Sequence, residues 1–176
     1  EIYNVNHLRD SLKSAGYKFN STSDTEVLLK MYLNFGLDML DMLNGMFAIS
    51  IWDSNNQQLI LAKDAYGIKP LYYFESDAGL IFGSEIKAIM SISGKFQSIN
   101  KDALLKYMTY LWCPDNTTAI KNLYKVNPGE VLIFSGKELK EKRLWAKNLS
   151  HRKFELKNYS KHESVAHVKD ALKKAV

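Results

Sequence analysis

Short apolar runs alternate with polar segments through the centre of the chain. Two runs rich in Ile, Leu, Phe and Ala, Gly45–Asp53 and Leu59–Asp64, are separated by the polar segment Ser54–Gln57. Apolar runs joined by Ser and Asn, whose side chains hydrogen-bond their own backbone, are typical of a β-hairpin. The pattern recurs in Leu71–Glu75 and Leu80–Gly83, which predicts a second hairpin. We therefore expect an antiparallel sheet at the centre of the fold.

Glycine and proline mark the turns around these strands. In the loop Ala65–Pro70, Gly67 can adopt a positive φ and Pro70 fixes the entry into the next strand. Val126–Gly129 fits a type II turn, in which proline supplies a φ near about −65° and the following glycine a positive φ. This turn is followed by two further predicted strands, Glu130–Phe134 and Leu139–Trp145.

Helical spacing of apolar residues predicts helices before the central strands. The first runs from an Asn4 cap to about Ala15. A second begins at a predicted capping box, in which the Ser23 hydroxyl and the Glu26 carboxylate satisfy free backbone N–H groups reciprocally, and it ends at Gly36. A short third helix spans residues 37–43, with four side chains expected to be buried: Leu37, Leu40, Met42 and Leu43.

Further helices are predicted after the hairpins. Glu85–Met90 forms a short helix, and Lys101–Trp112 a longer one. The apolar face of the longer helix consists of Leu104, Leu105, Met108 and Leu111. Lys147–Asn158 is polar and weakly patterned, as in a linker, and a second capping box at Ser160–Glu163 starts a helix that runs to Val176.

Composition is that of a water-soluble globular protein of one domain or a little more, and we expect a cytoplasmic location. No apolar run approaches the roughly 18 residues of a membrane span. From Lys137 onward, twelve Lys/Arg stand against five Asp/Glu, whereas the rest of the chain carries a net charge of −2. These lysines are mixed with glutamates and lack an aromatic series, which favours a solvated linker and helix face over nucleic-acid binding.

Three motifs and a later turn carry a family resemblance. GMFAISIWD, KDAYGIKPLYY and SEIKAI occur in this order and are followed by the Asn-Pro-Gly turn. Together they resemble the amidotransferase domain of glutamine-hydrolysing asparagine synthetase, over Glu1 to about Trp145. The resemblance implies an α+β fold, the four-layer αββα sandwich of antiparallel sheets of the N-terminal nucleophile hydrolases, incomplete at its N-terminus. It also implies a division into residues 1–146 (amidotransferase), 147–158 (linker) and 159–176 (first helix of the ATP-pyrophosphatase synthetase domain).

The resemblance also implies where glutamine would bind. In the family, an N-terminal cysteine is the nucleophile, an arginine holds the substrate carboxylate and an Asn-Gly pair forms the oxyanion hole. All of these would precede Glu1, so we expect no catalytic residue in this segment and no glutaminase activity from it alone. Glu1 aligns with a glutamine-contacting position, and Asp24 with the aspartate that holds the substrate ammonium. The pattern alone favours a simpler interpretation, in which Asp24 offsets the dipole of the helix it begins and Glu1 is a frayed end. With the resemblance, we favour binding.

Other candidate residues have simpler interpretations. Cys113 lacks a neighbouring His, Lys or Arg that would lower its pKa, so we interpret it as a structural thiol rather than a nucleophile. The four histidines are scattered and give no metal-ligand spacing. The family usually has arginine where this chain has Lys63, and lysine cannot form two-pronged hydrogen bonds to Asp64 or its neighbours.

The resemblance leaves several alternatives open. Phosphoribosylpyrophosphate amidotransferase has a loop like KDAYGIKPL but lacks the SEIKAI segment, and β-lactam-synthetase-like relatives keep the domain as a non-hydrolysing scaffold. A regulatory or interaction domain is a third possibility. The expected partners are glutamine and the protein's own synthetase domain, with Mg-ATP bound there and no cofactor in this segment. Unpaired sheet edges would favour poor solubility or a homodimer.

Overall fold

The computed structural model describes residues 1–76, 79–94, 98–136, 138–146 and 159–175. The helices are α1 (Val5–Ser14), α2 (Asp24–Phe35), a 3₁₀ helix (Gly36–Met42), α3 (Ile86–Ser93), α4 (Lys101–Tyr110) and α5 (Lys161–Ala175). The strands are β1 (Ala48–Asp53), β2 (Gln58–Lys63), β3 (Tyr72–Ser76), β4 (Gly79–Gly83), β5 (Leu123–Lys125), β6 (Glu130–Ser135) and β7 (Glu138–Leu144).

The first sheet has the order β1-β2-β6-β7, and every neighbouring pair is antiparallel. Its first hairpin is the predicted one, with Ile51 opposite Ile60. The turn between β1 and β2 is held by the Asp53 carboxylate, which accepts the backbone N–H groups of Asn55 and Asn56 at 3.0 Å each. This aspartate at the end of β1 supplies the local hydrogen bonding expected of a hairpin turn.

The second sheet has the order β4-β3-β5 and is also antiparallel. The hairpin of β3 and β4 confirms the second predicted hairpin. Strand β5 was not predicted, because three residues are too few to display alternation. It pairs with the opposite edge of β3, with Leu123 facing Phe74.

Buried side chains connect these elements in four layers. Leu12 of α1 and Met31 of α2 pack with Ile60 and Ala62 of β2 on one face of the first sheet. Leu61, between those two strand residues, points to the other face and packs against the second sheet, in a cluster that includes Leu71, Tyr73, Val126, Leu132 and Phe134. On the far side of the second sheet, Phe74 and Leu123 pack with Ile89 of α3. The order helix, sheet, sheet, helix is the predicted αββα sandwich.

Two predictions about buried apolar side chains are wrong. Met42 is 40% exposed, and Met39 is buried in its place. The segment is a 3₁₀ helix, in which every third residue shares a face, so Met42 lies on the face of Met39 but is exposed because it is the last residue of the helix. Leu40 is buried as predicted, whereas Leu37 and Leu43 are half-buried. In α4, the expected apolar face is open, with Leu105 66% and Met108 72% exposed, and Ala103 is the side chain that the helix buries.

The C-terminal part agrees with the sequence where it is described. The Ser160 hydroxyl accepts the Glu163 N–H, and the Glu163 carboxylate accepts the Ser160 N–H at 2.8 Å, which confirms this capping box. The predicted linker 147–158 lies outside the described residues. None of the helices in the described part of the chain is long and apolar enough to cross a membrane.

Candidate functional site

Glu1 and Asp24 line the same cleft, although they are far apart in the sequence. The cleft has a volume of about 410 Å³. It is bounded by the start of the chain, the first turn of α2, the segment leading into β1, the end of the loop before β3, and Ser84: Glu1, Ile2, Asp24, Thr25, Leu28, Met46, Phe47, Ala48, Ile49, Lys69, Pro70 and Ser84. Residues from both predicted binding positions and from all three family motifs therefore meet at one place.

Glu1 is held at the cleft by backbone pairing. Its backbone nitrogen donates to the Met46 carbonyl at 2.8 Å, and the Met46 N–H donates to the Glu1 carbonyl at 3.0 Å. One step along, the Tyr3 N–H donates to the Asn44 carbonyl at 2.8 Å. The first residues thus form a short antiparallel ladder with the segment before β1, while the side chain of Glu1 stays exposed.

Asp24 is the first residue of α2, directly after the cap. The Ser23 hydroxyl accepts the Thr25 N–H at 3.1 Å. Arg9 fixes the preceding loop by donating to the carbonyls of Ser21 and Ser23 at 2.7 and 2.9 Å. Within the described residues, the half-buried Asp24 carboxylate has no hydrogen-bond or ion-pair partner, so it is available to a ligand.

The predicted reciprocal capping box at this helix is wrong, because the Ser23 hydroxyl accepts the N–H of Thr25 rather than that of Glu26. The Glu26 carboxylate accepts the N–H groups of Asn20 and Ser21, at 3.0 and 2.8 Å, rather than that of Ser23. Its ion pair with Lys30, together with these hydrogen bonds, lowers the pKa of Glu26 to about 2. The reason is that the chain before Ser23 folds back over the start of α2, which places the N–H groups of Asn20 and Ser21 beside the Glu26 carboxylate. Glu26 therefore braces the loop beside Asp24.

Asp64 is a buried carboxylate that organises the loop on the other wall of the cleft. Only 1% of this residue is exposed. Its Oδ1 accepts the N–H groups of Tyr66 and Ile68 at 3.1 and 2.9 Å, and its Oδ2 accepts those of Phe47 and Lys69 at 3.3 and 3.0 Å. Burial on its own would raise the pKa of Asp64, but the hydrogen bonds from the four backbone N–H groups outweigh burial, and the pKa is lowered.

The Asn-Pro-Gly turn packs against the same loop and hydrogen-bonds to it. The Gly67 and Gly129 N–H groups both donate to the Asp64 carbonyl, at 3.0 and 2.8 Å. Gly67 has the predicted positive φ, 69°, and a Cβ there would lie 2.7 Å from Pro128 Cγ. The turn itself is the predicted type II turn, closed by the Glu130 N–H donating to the Asn127 carbonyl at 3.1 Å, with φ 65° at Gly129.

Sequence reasoning missed Asp64 as a central residue of this region. A signal was present, because an aspartate followed by a glycine- and proline-containing loop commonly accepts hydrogen bonds from that loop. The neighbouring Lys63 is half-buried, and burial lowers its pKa against the opposing effect of Asp64. The Asp64 oxygens are already occupied by backbone N–H groups, so they need no two-pronged partner at position 63.

Cys113 lies away from the cleft and has the contacts of a structural thiol. Its half-buried Sγ donates to the Ala103 carbonyl at 3.4 Å, and its own carbonyl accepts a hydrogen bond from Lys125 Nζ at 2.7 Å. Among the residues that the structure describes, no three His, Cys, Asp or Glu side chains gather as a metal site would require.

The two-sheet αββα sandwich, with its cleft beside the start of the chain and the start of α2, has the fold of the N-terminal nucleophile hydrolase class. Consistent with this class, a family profile described as "Glutamine amidotransferase domain" matches residues 1–145, and the chain belongs to that family.

Relatives and solved structures are similar over most of the chain. "Asparagine synthetase [glutamine-hydrolyzing] 1" of Bacillus subtilis is 42% identical over 129 residues, 73% of this chain and 20% of that protein. "Amidase chry2" of Gibberella zeae is 35% identical over 141 residues, 80% of this chain and 20% of that protein. The phosphoribosylpyrophosphate amidotransferase of B. subtilis has the same fold, with a TM-score of 0.58 at 22% identity, over 82% of this chain and 27% of that one. The chain thus spans about a fifth of the length of these curated relatives.

Proposed function

We propose that this chain forms the glutamine-binding part of the amidotransferase domain of an asparagine synthetase-like enzyme. In the whole protein, glutamine would be hydrolysed to glutamate and ammonia, and the ammonia used in the ATP-dependent amidation of aspartate. Mg-ATP would bind in a separate synthetase domain, whose first helix we assign to α5. The nucleophile and oxyanion hole would be supplied by residues that precede Glu1.

The observation that carries this proposal is the meeting of Glu1 and Asp24 in one cleft. Glutamine carries an ammonium group that must find an anionic partner when it leaves water. Asp24 offers a carboxylate without a partner in the described residues, fixed at the start of a capped helix. The cleft volume of about 410 Å³ lies within the range of small-ligand pockets.

The roles of the two residues follow from their placement. Asp24 would pair with the ammonium and so orient the amino-acid end of glutamine. Glu1 would add a second contact, since its backbone is fixed beside the cleft by the ladder to Met46. Both residues would bind and orient the substrate, and neither would form a covalent bond.

The test is Asp24→Ala in the intact protein, with Asp10→Ala as the matched control. Asp10 is an exposed carboxylate on α1 that does not line the cleft. We expect Asp24→Ala to raise KM for glutamine at least about 10-fold while synthesis from free ammonia stays nearly intact, because only the glutamine site is affected. Asp10→Ala should change neither activity.

Other outcomes would redirect the proposal. Equal loss of the glutamine-dependent and ammonia-dependent activities would remove the binding role of Asp24. Absence of any glutamine hydrolysis by the intact wild-type protein would instead favour the non-hydrolysing scaffold. The acceptor of the ammonia is tested by replacing aspartate with other carboxylates in the same assay. This test is needed because one of the similar proteins is named an amidase rather than an asparagine synthetase.

A further inference from the structure

The cleft that contains Glu1 and Asp24 also contains a cation. Among the described residues that line it, Lys69 is the one with a basic side chain. An α-amino acid presents a carboxylate as well as an ammonium, and each is costly to desolvate without a partner of opposite charge. The cleft lined by Asp24 and Lys69 offers a partner of opposite charge to each of these two groups.

The position of Lys69 is fixed by a buried group. Its backbone N–H donates to Asp64 Oδ2 at 3.0 Å, and Asp64 is held in turn by the N–H groups of Phe47, Tyr66 and Ile68. Pro70 follows directly and restricts the backbone at Lys69. The loop therefore presents Lys69 to the cleft from a rigid base.

The side chain of Lys69 remains uncommitted. It is exposed, and within the described part of the chain its ammonium has no ion pair or hydrogen bond. By contrast, Lys30, Lys106 and Lys142 are each paired with a carboxylate. An unpaired lysine at the rim of a cleft can pair with a ligand without breaking an existing contact.

We propose that Lys69 is a substrate-binding residue that pairs with the α-carboxylate of the amino acid whose ammonium is held by Asp24. The inference rests on the proposed function and deepens it, since it adds a residue of the loop before β3 to the recognition of the substrate carboxylate. Asp64 is then a positioning residue that acts through the backbone of Lys69. The arginine expected before Glu1 would share the carboxylate, so the loss of Lys69 is partial rather than complete.

The experiment compares Lys69→Met, Lys69→Arg and the control Lys121→Met in the intact protein. Lys121 is an exposed lysine that does not line the cleft. We expect Lys69→Met to raise KM for L-glutamine about 5- to 20-fold with little change in kcat, as for loss of one solvent-accessible charged hydrogen bond. Lys69→Arg should stay near the wild-type KM because it keeps the charge, and Lys121→Met should equal wild type.

Two competitive inhibitors locate the contact. 4-Carbamoylbutanoate keeps the carboxylate and lacks the ammonium, whereas 4-aminobutanamide keeps the ammonium and lacks the carboxylate. Lys69→Met should weaken inhibition by the first compound and leave the second unchanged, and Asp24→Asn should do the opposite. If either compound inhibits wild type too weakly to measure, two other results decide whether Lys69 binds substrate. These are a raised KM with unchanged kcat in Lys69→Met, and a KM near wild type in Lys69→Arg.

Failure of this inference differs from failure of the proposed function. If Asp24→Ala raises KM but Lys69→Met equals Lys121→Met, Lys69 is a solvated surface lysine and the inference falls alone. If Lys69→Met lowers kcat, or weakens both inhibitors equally, its effect comes from a disturbed loop and the inference is also wrong. If neither Asp24→Ala nor Lys69→Met affects KM, the proposed glutamine site itself is wrong.

Discussion

Replacing Asp64 by asparagine tests how strongly one buried carboxylate stabilises the loop beside the cleft. Each oxygen of Asp64 accepts two N–H groups: those of Tyr66 and Ile68 on one, and of Phe47 and Lys69 on the other. In Asp64→Asn, either orientation of the amide turns an NH₂ group toward two of these donors. The substitution preserves the shape of the side chain and removes its charge, so it isolates the hydrogen bonding.

The expected loss follows from the burial of these donors. A buried donor left without an acceptor costs about 1–3 kcal/mol. Tyr66, Ile68 and Lys69 are exposed residues, so water can partly replace the carboxylate there, whereas Phe47 is buried. We therefore expect Asp64→Asn to lower the free energy of unfolding by about 2–4 kcal/mol at pH 7.

The loss should also depend on pH in a defined direction. The pKa of Asp64 is lowered in the folded chain, so the carboxylate adds stability above its unfolded pKa of about 3.9, and this stability is lost as the pH falls through the folded pKa. Asparagine does not titrate. The difference between wild type and Asp64→Asn should therefore be constant from neutral pH to about pH 5 and shrink below about pH 4.

Urea unfolding monitored by circular dichroism at several pH values measures this difference. Asp10→Asn is the control, because the Asp10 carboxylate is exposed and lies 4.0 Å from Lys13, a geometry whose loss changes stability by less than about 1 kcal/mol. A loss at pH 7 no greater than that of Asp10→Asn would refute the role given to Asp64. A difference that stays the same from pH 7 to pH 3 would show that its charge is not the cause.

Two further predictions concern stability elsewhere in the chain. Gly129→Ala should lower the free energy of unfolding by about 2–4 kcal/mol in thermal or urea unfolding, because the φ of Gly129 is 65° and a Cβ there would lie 2.6 Å from Ala146 Cβ. The control Gly136→Ala, with φ 62° and open space around the residue, should lose only the conformational part of about 1–2 kcal/mol. Equal losses in the two variants would argue against the close approach of Gly129 and Ala146. In the same unfolding measurements, Met31→Ala should lower the free energy of unfolding by about 2–5 kcal/mol, because it leaves a cavity in the core between the helices and the first sheet. Leu105→Ala, on the exposed face of α4, should lower it by about 0.5 kcal/mol or less. A similar loss in both variants would mean that the face of α4 is covered.

Features set by neighbouring residues could be predicted from the sequence. Both hairpins, the positive φ at Gly67 and the type II turn at Gly129 depend on contacts a few residues apart, and all are found. The capping box at Ser160 is another local feature that was predicted correctly.

Features that depend on distant partners could not be predicted in the same way. The Glu26 carboxylate bonds N–H groups of a loop whose path the sequence does not specify. The open face of α4 has the same apolar spacing as a buried helix, because spacing reports a face and not what covers it. For the candidate site, the family resemblance selected Glu1 and Asp24, but the presence of Lys69 in their cleft depends on the buried hydrogen bonds of Asp64.

Strand β7 ends the first sheet, and its composition affects how that sheet meets other molecules. Its side chains are exposed and mostly charged: Glu138, Lys140, Glu141, Lys142 and Arg143. An extended chain that added to this edge would have to bring its own residues against a row of ammonium, guanidinium and carboxylate groups and strip their water. The sheet is thus protected from growing by strand addition at β7, and this protection should weaken as salt screens the charges.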